Sequence, residues 1–117
     1  MDSDIALYAS GVLGVFVSIV HGYIGEMKVV RPSEAPSAAA KRVLSAIMFL
    51  SAVYWLVVSL LLIATPAYVP DGLRAFAAYG AGAVLLSGAL GNLWATRGRH
   101  PGWMLLTVAA GLAFIGA

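Results

Sequence analysis

"VLSAIMFLSAVYWLVVSLLLIAT", residues 43–65, is the stretch that decides the fold. It carries no charge, no glycine and no proline, and it sits between Lys41-Arg42 and Pro66. A helix needs about 20 apolar residues to cross the hydrocarbon core of a bilayer, and this run supplies them. Three more charge-free runs accompany it: Ile5 to Gly25, Ala75 to Thr96 and Pro101 to Ala117. The first two are of spanning length. The last is near the lower limit of about 17 residues, which would bring Ala117 close to the far interface.

Composition points the same way. Of 117 residues, 62% are hydrophobic and 10% charged, against about 25% charged in a soluble domain. Such a chain cannot cover itself with polar surface in water. This predicts an all-α protein, an integral-membrane up-and-down four-helix bundle. It would be a single domain over residues 1–117, with spans near 5–25, 43–65, 75–96 and 101–117. The first run is expected to be a retained span rather than a signal peptide. Asp2 and Asp4 precede it where a signal has Lys or Arg, and its apolar core is too long.

Basic residues orient the spans. Six of the seven fall in the first and third loops: Lys28, Arg31, Lys41 and Arg42, then Arg97 and Arg99. Only Arg74 lies on the other side. Short loops rich in Lys and Arg stay in the cytoplasm. The expected location is therefore the inner (plasma) membrane, with loops one and three cytoplasmic and both termini outside. Tyr8, Tyr68 and Tyr79 then fall near the outer interface, and Tyr23, Trp94 and Trp103 near the inner one, as aromatic belts do.

The links between runs are short and rich in turn residues. In "RPSEAPSAAAKR", residues 31–42, Ser37 is a candidate N-cap, so the second helix can begin before the membrane. Pro66 marks an expected helix end and Asp71 a capping residue for the next helix. Gly98 is an expected stop, and Pro101 suits the start of the last helix. Short links make successive helices antiparallel neighbours.

Small residues recur at steps of three and four on two helices. Gly11, Gly14, Ser18, His21 and Gly25 form one stripe. Ala77, Gly80, Val84, Ser87 and Gly91 form another, with Gly88 and Asn92 beside it. Helices in lipid associate through close contacts that small residues permit, so both stripes are expected to face protein. The partner can be a neighbouring helix or a second copy of the chain.

Polar residues inside the apolar runs are few. His21 lies about 7.5 Å deeper than Glu26, at 1.5 Å rise per residue, and Asn92 lies about as far inside Arg97. His21 and Asn92 thus share a level, with Glu26, Arg97, Arg99 and His100 above them on the cytoplasmic side. His21 and Glu26 are predicted to belong to one polar network that includes Asn92 and at least one of Arg97, Arg99 and His100. Ionisable groups within spans suggest function, yet a neutral His21 bonded across helices to Ser18, Asn92 or a carbonyl would serve packing alone. Glu26 would then pair with Arg97 or Lys28. On the second helix Ser45, Met48, Ser51, Trp55 and Ser59 share one side. Tyr54 and Trp55 lie near mid-membrane, where an indole N–H needs an acceptor. Core packing accounts for them; a cavity for an apolar or cationic molecule, lined by Ser18, Tyr54 and Trp55, is the alternative.

Chemistry is mostly excluded. The absence of cysteine removes disulfides, thiolate nucleophiles and Cys-ligated metals. There is no phosphate-binding glycine loop and no HExxH. Ser18 and His21 share a face, but the nearest carboxylate, Glu26, is about 140° round the helix from His21. No acidic residue lies deep in a span, so a proton path lacks its outer half. The protein is expected not to be an enzyme, to need no cofactor, and to have the lipid bilayer but no nucleic acid as partner. The alternative is a haem or divalent-metal site on His21 and His100, since imidazole is the commonest metal ligand. Against it, the two histidines are expected at different depths.

Small multidrug transporters and fluoride channels are four-helix chains of similar size, but their motifs are absent. The transporters' mid-helix Glu is missing from the first run, and six basic residues against one is not the balance that dual topology needs. His21-x-x-x-Gly25-Glu26, Arg31-Pro32, Arg42 and the terminal Gly98-Arg99-His100-Pro101-Gly102-Trp103 together resemble a group of small uncharacterised bacterial four-helix membrane proteins. Those often carry a His three residues before a Ser on the second helix; here Met48 precedes Ser51, which removes that ligand. The resemblance implies a non-enzymatic polytopic membrane protein and no particular activity. Homo-oligomeric, accessory, binding and transport-related roles all fit such a chain.

Overall fold

A computed structural model describes residues 1–117. Four helices account for most of the chain: α1 (Ser3–Ile24), α2 (Ala38–Tyr68), α3 (Asp71–Thr96) and α4 (Gly102–Gly116). Three of them are long and apolar enough to cross a membrane; α4 is apolar but shorter. The molecule is elongated, 50 × 25 × 18 Å. The helices run up and down in a ring in which α1 lies beside α2 and α4, and α3 beside α4 and α2.

Local chemistry sets most of the boundaries. Asp2 caps α1 by accepting from the Asp4 amide at 2.8 Å. Ser37 caps α2 as expected, accepting from the Ala40 amide at 3.0 Å. At the end of α3, Arg97 and Gly98 both take positive φ, 53° and 75°, and the Gly98 amide closes on the Leu93 carbonyl at 2.9 Å. A left-handed residue there consumes carbonyls that the helix end leaves unpaired. Gly98 therefore acts as the expected stop.

Three boundaries depart from the sequence expectation. Helix α2 does not end at Pro66 but runs through it to Tyr68. Proline removes one N–H donor, and in the last turn this loss is small because Val69 still donates to the Thr65 carbonyl at 3.2 Å. Asp71 is the first residue of α3 rather than its cap; Pro70 holds the cap position without a side-chain bond. Helix α1 continues as a π-helical segment, Gly25–Val30.

The core is thin and built from all four helices. Leu7, Leu62, Leu85 and Leu106, one from each, are fully buried. Helices α3 and α4 approach through alanines, with Ala78, Ala81 and Ala89 buried on one side and Ala109, Ala110 and Ala113 on the other. Ser10 of α1 donates to the Ala109 carbonyl of α4 at 2.6 Å, tying these helices at mid-length. The α1 stripe is buried at Gly11, Gly14 and Ser18. A methyl on Gly11 would come within 2.6 Å of the Ser59 carbonyl oxygen, so only glycine admits α2 at this distance.

The α3 stripe does not pack as expected. Gly80, Ser87 and Gly91 face outward, and the buried face is Ala78, Ala81, Gly82, Leu85 and Ala89. Small residues occupy both sides of α3, so their spacing alone could not select the inner one.

Candidate functional site: a polar-ended cavity at the loop end of the bundle

The core closes at Trp55. This residue of α2 is buried, and its indole lies over Gly88 of α3, where a methyl would come within 2.5 Å of Cζ2. The His21 ring packs against the other side of the site, with ring centroids 4.4 Å apart and planes at 47°. From this level toward the first and third loops the helices leave a cavity of about 590 Å³. Val17, Val20, Leu105 and Leu106 are among its apolar walls, and Phe16, Ile47 and Leu105, which also line it, reach the molecular surface. His21, Ser51, Asn92, Thr96 and His100 are its polar lining. No Asp, Glu, Lys or Arg borders it.

The hydrogen bonds around the cavity assign its protons. Ser51 Oγ donates to the Met48 carbonyl at 2.9 Å. Its single hydrogen is thereby used, so toward His21 Nε2, 3.0 Å away, the Ser51 oxygen can only accept. With the hydroxyl hydrogen on the Met48 carbonyl, a neutral His21 would donate from Nε2 and keep its lone pair on Nδ1. At His100 the Gly102 amide donates to Nδ1 at 3.0 Å, which places the proton of the neutral ring on Nε2. Gly102 is required here, because a methyl would come within 2.9 Å of His100 Nδ1. Asn92 Oδ1 is buried without any hydrogen-bond partner.

The six candidate network residues divide into three groups. His21, Asn92 and His100 border the same cavity, but His21 bonds to Ser51 rather than to Asn92 or Ser18. Ser18 instead donates back to the Gly14 carbonyl at 2.6 Å. Glu26 leaves the group. The Arg31 amide reaches back five residues to the Glu26 carbonyl at 3.0 Å, a π-helical step, and the carboxylate faces α2. Its Oε2 accepts from Ser45 Oγ at 2.8 Å. Its nearest cation is Arg31, 3.9 Å away with both side chains substantially exposed, not Arg97 or Lys28. Such a pair is worth little in stability. Arg97 and Arg99 are exposed, since the left-handed turn at the end of α3 carries both outward. Tyr54 is exposed on the outer side of α2 and lines neither this cavity nor the groove beside Glu26; of the suggested cavity residues, Trp55 borders this cavity and Ser18 that groove.

No protein-family model matches the chain, and no curated protein or solved structure is significantly similar to it.

The donor set does not fit a metal or haem iron shared by the two histidines. No third histidine, cysteine or carboxylate joins them. A metal on His100 Nε2 would move the ring proton to Nδ1, where it would oppose the Gly102 N–H. Ser51 and Ser45, the partners of His21 and Glu26, were the residues not anticipated in these roles. Their signal was present, because both lie on the α2 face marked by Met48, Trp55 and Ser59.

Proposed function

We propose that this chain is a non-enzymatic, multi-span inner-membrane protein that binds a small apolar molecule in the cavity between its helices. The membrane reading is supported by what the helices leave uncovered. Only 24 of 117 residues are buried, and Val12, Phe16, Ile19, Ile47, Phe49, Val57 and Leu60 all remain at least half exposed. An apolar surface this extensive needs a hydrocarbon solvent. The basic first and third loops would lie in the cytoplasm and both termini outside.

One observation carries the binding role. A cavity of about 590 Å³ with apolar walls is bordered by the polar side chains of His21, Ser51, Asn92, Thr96 and His100. Ligand sites have this composition and this size. Closed packing would instead have filled the space or paired the amide.

Trp55 reports occupancy. With Trp94→Phe and Trp103→Phe leaving it as the sole tryptophan, bromooctane should quench its fluorescence saturably in nanodiscs. Quenching that rises only linearly, as for partitioning into lipid, would remove the cavity as a binding site.

A further inference from the structure

We infer that the cavity takes an apolar molecule bearing a carbonyl group, whose oxygen accepts a hydrogen bond from Asn92 Nδ2; this rests on the cavity being a binding site. Asn92 lies in the apolar run of α3, and its side chain bonds to no other group of the chain. Its Oδ1 is enclosed and without a donor. Its Nδ2 is unpaired too, but it is not enclosed, so the amide keeps its hydrogens at its open end. Gly102 of α4 lines the cavity beside it: a methyl there would stand 3.6 Å from Nδ2, and glycine leaves this side of the amide uncovered.

The reverse orientation of the amide is the costlier one. It would enclose an NH2 group, leaving two hydrogens without acceptors in place of one oxygen without a donor. Buried orphan N–H groups are rarer than under-satisfied carbonyls for this reason. The hydroxyls on the wall have no hydrogen to spare. Ser51 donates to the Met48 carbonyl at 2.9 Å, and Thr96 donates to the Asn92 carbonyl at 2.8 Å. Apart from the two imidazoles, Asn92 is therefore the one polar side chain lining the cavity with a hydrogen left to give.

A free donor among apolar walls calls for an acceptor on an apolar body. A carbonyl oxygen accepts and brings no hydrogen that would need a partner of its own. In the hydrocarbon of a bilayer such an oxygen has no donor, so a bond to Nδ2 is gained on entry rather than exchanged for one to water. Val17, Val20, Leu105 and Leu106 offer the remainder of the molecule only apolar contact. Because Phe16 and Leu105 are at once lining and surface residues, such a molecule can enter sideways from the lipid without crossing a headgroup layer.

The test compares methyl octyl ketone with its alkene isostere, in which a methylene group replaces the carbonyl oxygen and the shape is kept. Both are titrated against the full chain in nanodiscs, with Trp55 as the only tryptophan and bromooctane as the bound quencher. Displacement is read as recovery of Trp55 fluorescence, and affinities are corrected for partitioning. The ketone should bind about tenfold tighter, the effect of pairing one otherwise unused donor. Asn92→Leu, which keeps the bulk and removes the donor, should bring the two probes within about twofold by weakening only the ketone. Equal affinities for ketone and alkene would overturn the carbonyl assignment, while saturable quenching by bromooctane would still leave the cavity as a site. Tighter binding of the corresponding secondary alcohol than of the ketone would also overturn it. A preference for the ketone that survives Asn92→Leu would overturn Asn92 as the donor. Bromooctane quenching that never saturates would overturn the cavity reading itself. The comparison of ketone with alkene needs no change at Asn92, so it stands even where Asn92→Leu fails to fold.

Discussion

His21 Nε2 lies 3.0 Å from the hydroxyl of Ser51, and that hydroxyl spends its only hydrogen on the Met48 carbonyl at 2.9 Å. The chain His21 → Ser51 → Met48 links α1 to α2 at the level where the core stops and the cavity begins. His21→Ala and Ser51→Ala should each lower stability by about 1 kcal/mol, and the double variant by less than the sum. His21→Ala combined with Asn92→Ala should show the smaller coupling, because these two residues share a cavity but no hydrogen bond. Thermal unfolding in one detergent, run as two double-mutant cycles, measures both couplings. Additive losses for His21 and Ser51 would show that the bond contributes nothing.

Glycine at position 14 is fixed by its neighbour across the helix pair. A methyl there would run into the Ser59 hydroxyl, and one at Gly88 would meet the Trp55 indole. Gly14→Leu and Gly88→Leu should therefore each cost about 1–3 kcal/mol, as overpacked sites do. Val12 is 62% exposed, and Val12→Leu should stay within about 0.5 kcal/mol. Melting temperatures of the three variants under one condition decide the point. A loss at Val12 equal to the others would mean that the α1 stripe is not what joins α1 to α2.

How much of this was legible beforehand depends on how local the cause was. Helix number followed from four charge-free runs, and the Ser37 cap and Gly98 stop from residue types acting within a few positions. The course of α2 through Pro66 was not legible, because a proline signal does not say how many turns remain to be lost. The direction of Glu26 was hidden more deeply. The π-helical segment adds a residue to the turn and changes the face on which every later side chain emerges, and no residue type marks it. The pooling of His21, Asn92 and His100 came from depth alone and places them at one cavity. Their partners depend on which helices are neighbours in the ring, which spacing within one helix cannot reveal.

Orientation has a direct assay, because the chain has no cysteine of its own. Single cysteines introduced at Ser33 or Arg99 should be protected from an impermeant thiol reagent in intact cells and become reactive after permeabilisation. One at Gly72, exposed and free of any packing neighbour, should react in intact cells. Labelling of Ser33→Cys from outside would invert the assigned topology.

At the opposite end from the cavity, Arg74 holds three helix ends together. Its guanidinium pairs with Asp4 at 2.6 Å, donates to the Ser3 hydroxyl at 3.1 Å and donates to the Gly116 carbonyl at 3.3 Å. α1, α3 and α4 are therefore joined through one side chain, and α4, the shortest helix, gains a fixed end. Asp4 is half exposed, so its ion pair alone is worth at most about 1 kcal/mol. Arg74→Ala removes three bonds and should cost more than Asp4→Ala, which removes one. Arg74→Lys should behave nearly like the alanine variant, because a single ammonium cannot reach three partners fixed to the planar fork of a guanidinium. Thermal unfolding gives the order Arg74→Ala, Arg74→Lys, Asp4→Ala from largest loss to smallest. Hydrogen exchange should localise the extra loss to the last turn of α4, where the Gly116 carbonyl loses its donor. Equal losses for Arg74→Ala and Asp4→Ala, with no change in α4 protection, would reduce Arg74 to an ordinary surface ion pair.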